Sequence, residues 1–122
     1  MASAAFPDVP VEFEARSKLT GEVYRCRFSH LWSAIATRHS DTLDCKFFVN
    51  GGPVIVSLAL PGFAEFRERT GRELTDREAS HMAAAFLKEC LELDRDTDRA
   101  ELPLDRAGLI AYAEKLGFLR PR

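Results

Sequence analysis

The chain has 122 residues, a mass of 13.7 kDa, 46% hydrophobic residues and 30% charged residues, which is the composition of one compact soluble domain. Its 17 Lys and Arg against 19 Asp and Glu give a formal net charge of −2, which excludes nucleic acid and anionic membranes as obvious partners. We therefore treat residues 1–122 as a single domain that begins with a flexible segment over residues 1–10.

Two half-buried strands are predicted first, because apolar and polar residues alternate over residues 11–15 and again over residues 22–28. An antiparallel register that sets Phe13 opposite Cys26 makes both neighbouring cross-strand pairs complementary in charge. Those pairs are Glu12 with Arg27 and Glu14 with Arg25. The charge pattern therefore favours a β-hairpin.

A short helix is predicted next, with Ser29 as its N-cap and its end near His39. The apolar residues Leu31, Ala34 and Ile35 recur at helical spacing in this segment. The helix would connect the first hairpin to a second hairpin.

The second hairpin has the clearest local signal in the chain. Apolar residues alternate over residues 43–49 and 54–60, on either side of Asn50 and Gly51, which favour the centre of a tight turn. This turn sets Val49 opposite Gly52 and places Pro53 in a non-hydrogen-bonded pair, where the missing N–H of proline costs nothing.

The second half of the chain predicts helices. A short helix over residues 62–69 is closed by Gly71, and a longer helix of about five turns follows a capping box formed by Thr75 and Glu78. The last helix begins near Asp105 and ends at Gly117. The expected fold is therefore α+β, with two layers: a four-stranded, mainly antiparallel sheet (ββαββ) and C-terminal helices packed on one face.

The cysteines and histidines raise the question of a metal site or a reactive thiol. Cys26, His30, His39 and Cys45 could in principle surround a zinc ion, but their spacing matches no common zinc motif. The strand and helix patterns instead place Cys26, Cys45 and Cys90 on apolar faces, where cysteine packs as a small hydrophobic residue. We predict no metal, no cofactor and no catalytic thiol.

The acidic segment that starts at Asp94 resembles a calcium-binding loop only in part. Asp94, Asp96 and Asp98 have the spacing of loop positions 1, 3 and 5 of an EF-hand. However, Arg99 replaces the glycine that the turn requires, and Asp105 replaces the bidentate glutamate. We interpret the segment as a solvated connector between helices, with Asp105 as the N-cap of the last one.

Other catalytic and binding motifs are missing from the sequence. It contains no phosphate-binding loop, dinucleotide fingerprint, hydrolase elbow or zincin motif. The densest basic cluster, Arg67, Arg69 and Arg72, is interleaved with glutamates, a pattern that does not favour nucleic-acid binding. The odd number of cysteines and the lack of a long apolar run indicate a reduced, cytoplasmic protein without a membrane span.

The strand alternation directs one set of side chains away from the helices. Phe48 and Ile55 are apolar residues on that face, which is typical of an interaction surface unless Phe6, Val9 or a helix of the same chain covers it. The residues predicted to bind a partner are Arg25, Arg27, Lys46, Phe48 and Ile55, with Val23 and Ser57 beside them. We expect a non-catalytic protein–protein interaction or regulatory module, which binds a second copy of itself as a homodimer or another protein.

The alternative is a small enzyme or ligand-binding protein with a pocket between the sheet and the helices. Such pockets combine apolar walls with a few convergent polar groups. The candidate residues for this pocket are Tyr24, His30, Trp32 and His81.

Overall fold

The computed structural model describes residues 12–34, 41–95 and 101–119. The predicted flexible segment, residues 1–10, lies outside these ranges. In chain order the strands and helices are β1 (Glu12–Arg16), β2 (Val23–Ala34), β3 (Thr42–Val49), β4 (Gly52–Ala59), α1 (Leu60–Thr70), α2 (Asp76–Glu92), β5 (Glu101–Leu104) and α3 (Arg106–Lys115). Within the described ranges the fold is α+β, with one mixed sheet in the order β1-β2-β3-β4-β5.

The first hairpin has the predicted register. β1 and β2 are antiparallel, with Phe13 opposite Cys26 and with both glutamates of β1 opposite arginines of β2. The carboxylate of Glu14 lies 3.8 Å from Nε of Arg25, and both side chains are largely exposed to solvent. Such a pair contributes little to stability, so the alternation of buried and exposed residues is what determines the register.

The predicted helix that begins at Ser29 is wrong for the part of it that the structure describes. β2 continues through Ala34 and pairs with β3, after a register shift between Phe28 and His30. Beyond this shift His30 is opposite Lys46. A short segment whose apolar residues suit either a helix or a strand takes the conformation that its neighbour stabilises, and here the neighbour is β3. Residues 35–40, where the predicted helix would end, lie outside the described ranges.

The second hairpin is confirmed. Asn50 and Gly51 have φ angles of 50° and 85°, as a tight hairpin turn requires, and Val49 is opposite Gly52. Asn50 also connects this turn to β2, because its backbone N–H donates to the carbonyl of Arg25 at 2.8 Å and its Oδ1 accepts from the backbone N–H of Arg25 at 2.9 Å. The turn is therefore held against the neighbouring strand.

The predicted helix caps are confirmed as well. Thr75 and Glu78 form both hydrogen bonds of a capping box at the start of α2, and the side chain of Asp105 accepts from the backbone N–H of Gly108 at the start of α3. Gly71 ends α1 in the left-handed conformation, with φ of 76°. None of the helices in the described parts of the chain is long and apolar enough to cross a membrane.

The prediction of four strands and a solvated connector before α3 is corrected by β5. Residues Glu101–Leu104 pair in parallel with β4, which adds an edge strand to the sheet. Leu102 and Leu104 are buried at 4% and 5% exposure, whereas Pro103 points outward. An edge strand tolerates proline because its outer N–H groups have no partner in the sheet.

The hydrophobic core lies between one face of the sheet and the helices. Inward-facing side chains of the strands pack with apolar side chains of α1, α2 and α3 in a single cluster. The largest buried members are Phe47, Phe66, Met82, Leu109 and Phe118. The other face of the sheet is the one that the predicted partner-binding residues occupy.

Candidate functional site: the outer face of the sheet

We call the sheet face directed away from the core cluster the outer face. Its residues alternate along each strand with core residues such as Cys26, Cys45, Phe47 and Val56. All five residues predicted to bind a partner lie on it: Arg25, Arg27, Lys46, Phe48 and Ile55. Arg25 and Arg27 are exposed, whereas Lys46, Phe48 and Ile55 are half-buried.

Phe48 is the centre of a cationic and aromatic cluster on the outer face. The guanidinium carbon of Arg27, which is directly opposite on β2, lies 5.2 Å from the centre of the Phe48 ring, and Nζ of Lys46 lies 5.1 Å from it. Each such contact contributes ~0.5–1 kcal/mol at an exposed site. Neither Arg27 nor Lys46 forms an ion pair with a described residue. Glu12 lies opposite Arg27 on β1 without forming an ion pair with it, so among the described residues both cations can still contact an anionic group of a partner.

A groove of about 730 Å³ adjoins this cluster at the end of the sheet near the second hairpin turn. Arg27 and Phe48 contribute to its wall, together with Asn50 and Gly51 of the turn. Glu12 and Glu14 of β1 and Arg25 of β2 also line it. Phe13 and Cys26 complete its lining. The groove thus carries charges of both signs beside two aromatic rings.

Phe48 and Ile55 are diagonal neighbours rather than a directly opposed pair. Pro53 is opposite Phe48, and Ile55 is opposite Lys46, which is two residues before Phe48 on the same face of β3. Diagonal neighbours on one sheet face remain within reach of an aromatic side chain. The two residues therefore contribute to one apolar area with Lys46 beside it.

The four predicted pocket residues do not share one face. His30 and Trp32 lie on the outer face beyond the register shift, with ring centres 5.0 Å apart, and Oγ of Ser29 lies 2.8 Å from Nδ1 of His30. Tyr24 packs against the core on the inner face, and His81 lies on α2. Of these four residues, the structure places His30 and Trp32 side by side. A ligand pocket between the layers stays a prediction.

Asp44 is a feature of the outer face that the sequence patterns did not single out. It is only 9% exposed, lies opposite Trp32 and Ser57, and accepts a hydrogen bond from Oγ of Thr42 at 2.7 Å. Its place in the alternation of β3 was the signal that could have identified it. Towards β5 the hydroxyl of Ser57 donates to Glu101 at 3.4 Å, so this half of the face is engaged in internal hydrogen bonds.

The cysteines have the surroundings of core residues. Burial raises the pKa of Cys26 to about 11, and burial together with the nearby carboxylates of Asp44 and Asp76 raises the pKa of Cys45 to about 12. A thiol must ionise to act as a nucleophile or a metal ligand, so the raised pKa disfavours both roles for these two side chains. Cys26 and Cys45 face the core while His30 lies on the outer face, so the described members of the rejected zinc-ligand set do not share one face.

Metal-ligating side chains elsewhere in the described part of the chain are the next feature to consider. No group of three or more His, Cys, Asp or Glu side chains there is arranged to hold a metal ion. Asp94, the first residue of the incomplete calcium-loop pattern, accepts a hydrogen bond from Oγ of Ser17 at 2.5 Å. Residues 96–100, which carry the rest of that pattern except Asp105, lie outside the described ranges.

Comparison with known proteins supplies no relative from which a function could be transferred. No protein-family model matches the sequence. No curated protein matches it, and no solved structure does. Function therefore has to be inferred from the outer face itself.

Proposed function

We propose that this protein is a non-catalytic interaction module whose outer face binds an acidic surface of another protein. The observation that carries the proposal is the position of Arg27 and Lys46, which both lie about 5 Å from the ring of Phe48 and have no carboxylate partner among the described residues. An aromatic ring beside two cations that form no ion pair with a described residue has the composition of an interface centre, where aromatic residues and arginine are enriched.

The chemistry of the partner follows from this cluster. A carboxylate of the partner would pair with Arg27 or Lys46, and an adjacent apolar side chain would pack on Phe48 and Ile55. Burial of the ring against an apolar group excludes water, which strengthens the neighbouring charge pair. Complementary charge also accelerates the encounter and rejects basic partners.

The same face disfavours a nucleic acid as the partner. Glu12 and Glu14 line the groove beside Arg25 and Arg27, so a run of phosphates along it would meet two carboxylates. Affinity for nucleic acids depends on the neutralisation of several phosphates in a row, and a mixed-charge groove does not provide this. A protein can instead present single acidic side chains where the cations lie.

The experiment is a selection of peptides from a random library on the immobilised protein. We expect enriched peptides to combine an acidic residue with a large apolar residue. Their affinity should fall about tenfold or more, equivalent to ~1.4 kcal/mol, in each of the variants Phe48→Ala and Lys46→Glu. These changes remove the apolar centre and reverse one of the two charges beside it.

The matched control is Arg67→Glu, which reverses an exposed charge on α1, in the helical layer. This variant should bind the selected peptides as the wild type does. Selection of basic peptides, equal losses in the Lys46→Glu and Arg67→Glu variants, or a selection that enriches nothing would each refute the proposal.

A further inference from the structure

The two strands at the start of the sheet differ in length, and this leaves part of β2 open. β2 has 12 residues, whereas β1 has 5 and pairs only with the segment from Val23 to Arg27. From Phe28 onward, β2 pairs with β3 on one side. On its other side no strand of the described ranges pairs with it. Among the described residues, 29–34 therefore have no strand partner on this side of the sheet.

This edge lacks the features that protect the other edges. β1 is short and carries Glu12, Glu14 and Arg16, and β5 is shorter still and contains Pro103. Short length, charges and proline all discourage strand addition. The open segment of β2 reads Ser-His-Leu-Trp-Ser-Ala, with no Lys, Arg, Asp, Glu or Pro. An uncharged strand edge of this kind readily pairs with another strand.

We infer that a second copy of this chain pairs with the open edge of β2, strand against strand and antiparallel. Two-fold symmetry makes each β2 the partner of the other, and the uncharged segment places no like charges opposite one another. In an antiparallel pair, two directly opposed residues point to the same face of the sheet. The two-fold axis must therefore pass through a residue that is opposite its own copy, and not between two neighbouring residues. With the axis at Leu31, His30 of each copy is opposite Trp32 of the other.

The other candidate for this edge is the chain's own segment before Glu12, and its prolines argue against it. In an antiparallel pair the N–H groups that face the neighbour come from every second residue. Pro7 and Pro10 are three positions apart, so one of them always falls where the ladder requires a donor. The corresponding segment of a second β2 contains no proline and can supply every donor of the ladder.

The dimer would align the outer faces of the two copies in one continuous sheet. The Phe48 clusters would then lie on the same side of the assembly, which goes beyond the proposed function and does not depend on it. Because pairing uses the β2 edge and not the cluster, Phe48→Ala should leave the dimer intact. This separates a failure of the dimer from a failure of the proposed binding activity.

The test is the mass of the full chain in solution, measured by light scattering and sedimentation over a range of concentrations. We expect the wild type to approach twice the 13.7 kDa of the chain as concentration rises. His30→Glu should shift this equilibrium towards monomer by about tenfold or more, ~1.4 kcal/mol in association free energy. The new carboxylate is opposite Lys46 of its own chain, so the fold tolerates it. In the dimer, however, the introduced carboxylates of the two copies lie close together and repel each other.

Val23→Glu is the matched control, because it places a carboxylate opposite Arg16 in the part of β2 that β1 already covers. This variant should dimerise like the wild type. Hydrogen exchange provides a second measurement, in which protection of the amides of residues 29–34 should increase with concentration. A monomer at every concentration, a dimer that His30→Glu leaves intact, or edge amides protected equally at all concentrations would overturn the inference.

Discussion

Arg72 binds the carboxylate of Glu78 with both terminal guanidinium nitrogens, each 2.9 Å from a different oxygen. The Glu78 side chain is only 7% exposed, and its carboxylate also accepts from the backbone N–H of Thr75 at 3.0 Å. Arg72 in turn donates to the carbonyl of Phe118 at 3.1 Å and lies 5.0 Å from the ring centre of Phe66. This pair therefore joins the start of α2 to α1 and to the C-terminal turn.

Glu78→Gln should destabilise the protein by about 2–3 kcal/mol, because it leaves the charge of Arg72 without its carboxylate. We expect less than the ~3–5 kcal/mol of a fully buried pair, since Arg72 retains some contact with solvent. Urea unfolding at neutral pH measures the change. The control Glu14→Gln removes an exposed carboxylate 3.8 Å from Arg25 and should cost ~0.5 kcal/mol or less. Equal losses of stability in the two variants would contradict a special contribution from the Arg72–Glu78 pair.

The same carboxylate should make stability depend on pH in the acid range. Burial alone would raise the pKa of Glu78, but hydrogen bonds from Arg72 and Thr75 outweigh burial and lower this pKa below its usual value. The stabilisation is then complete above the unfolded-state pKa of ~4.3 and is lost as the pH falls through the folded-state pKa. The free energy of unfolding should decline below about pH 4.5, less steeply in Glu78→Gln. Parallel pH profiles for the two proteins would count against this explanation.

Tyr112→Phe should destabilise the contact between α2 and α3. The hydroxyl of Tyr112 donates to the carboxylate of Glu89, which Arg95 also contacts at 3.0 Å. A hydrogen bond to a charged acceptor that is half-buried contributes ~1–2 kcal/mol. The matched control is Tyr24→Phe, which removes an exposed hydroxyl 3.4 Å from Glu22 and should cost less than ~0.5 kcal/mol. Chemical denaturation of both variants measures these changes in stability. A Tyr112→Phe variant as stable as the wild type would argue against a stabilising hydrogen bond from the Tyr112 hydroxyl.

The cysteines should resist thiol reagents until the protein unfolds. All three side chains are buried, and the raised pKa values of Cys26 and Cys45 keep these thiols protonated at pH 8. Labelling with a disulfide reagent should be ~100-fold slower or more in the native state than in denaturant, where a cysteine has a pKa of ~8.5. The denatured protein provides the full count of reactive thiols. Rapid labelling of Cys26 or Cys45 in the native protein would contradict the buried positions.

Gly62→Ala should destabilise the contact of α1 with α3, although alanine favours helices over glycine by ~1 kcal/mol. A β-carbon at this position would lie 3.0 Å from Cβ of Leu109, which is fully buried and cannot move away by a rotamer change alone. We expect a net loss of ~1–2 kcal/mol from overpacking. Gly52→Ala is the control, because its nearest contact would be 3.6 Å from the carbonyl of Val49. A more stable Gly62→Ala variant would show that the helices separate without cost.

Local sequence signals determined the turns and the helix caps of this protein. Asn50 and Gly51 specify a hairpin because both tolerate positive φ, and Thr75 with Glu78 specifies a helix start because the capping hydrogen bonds join residues three positions apart. Strand alternation likewise placed Phe48 and Lys46 on the face away from the core. In each case the interacting groups are close in sequence or related by the fixed period of a strand.

Only the tertiary structure decided the conformation of two segments, the one from Ser29 in β2 and the one that forms β5 before α3. The segment from Ser29 suits a helix as well as a strand, and pairing with β3 selected the strand. The four residues of β5 are too few for a periodic pattern, and Leu102 is buried only because β4 and the helical layer surround it. The sequence did not reveal that Arg27 and Lys46 both contact the ring of Phe48, because the contact of Arg27 depends on the register between β2 and β3. Strand alternation and helical periodicity thus predicted the α+β class, while contacts distant in sequence decided the strand order of the described sheet and where two positive charges converge.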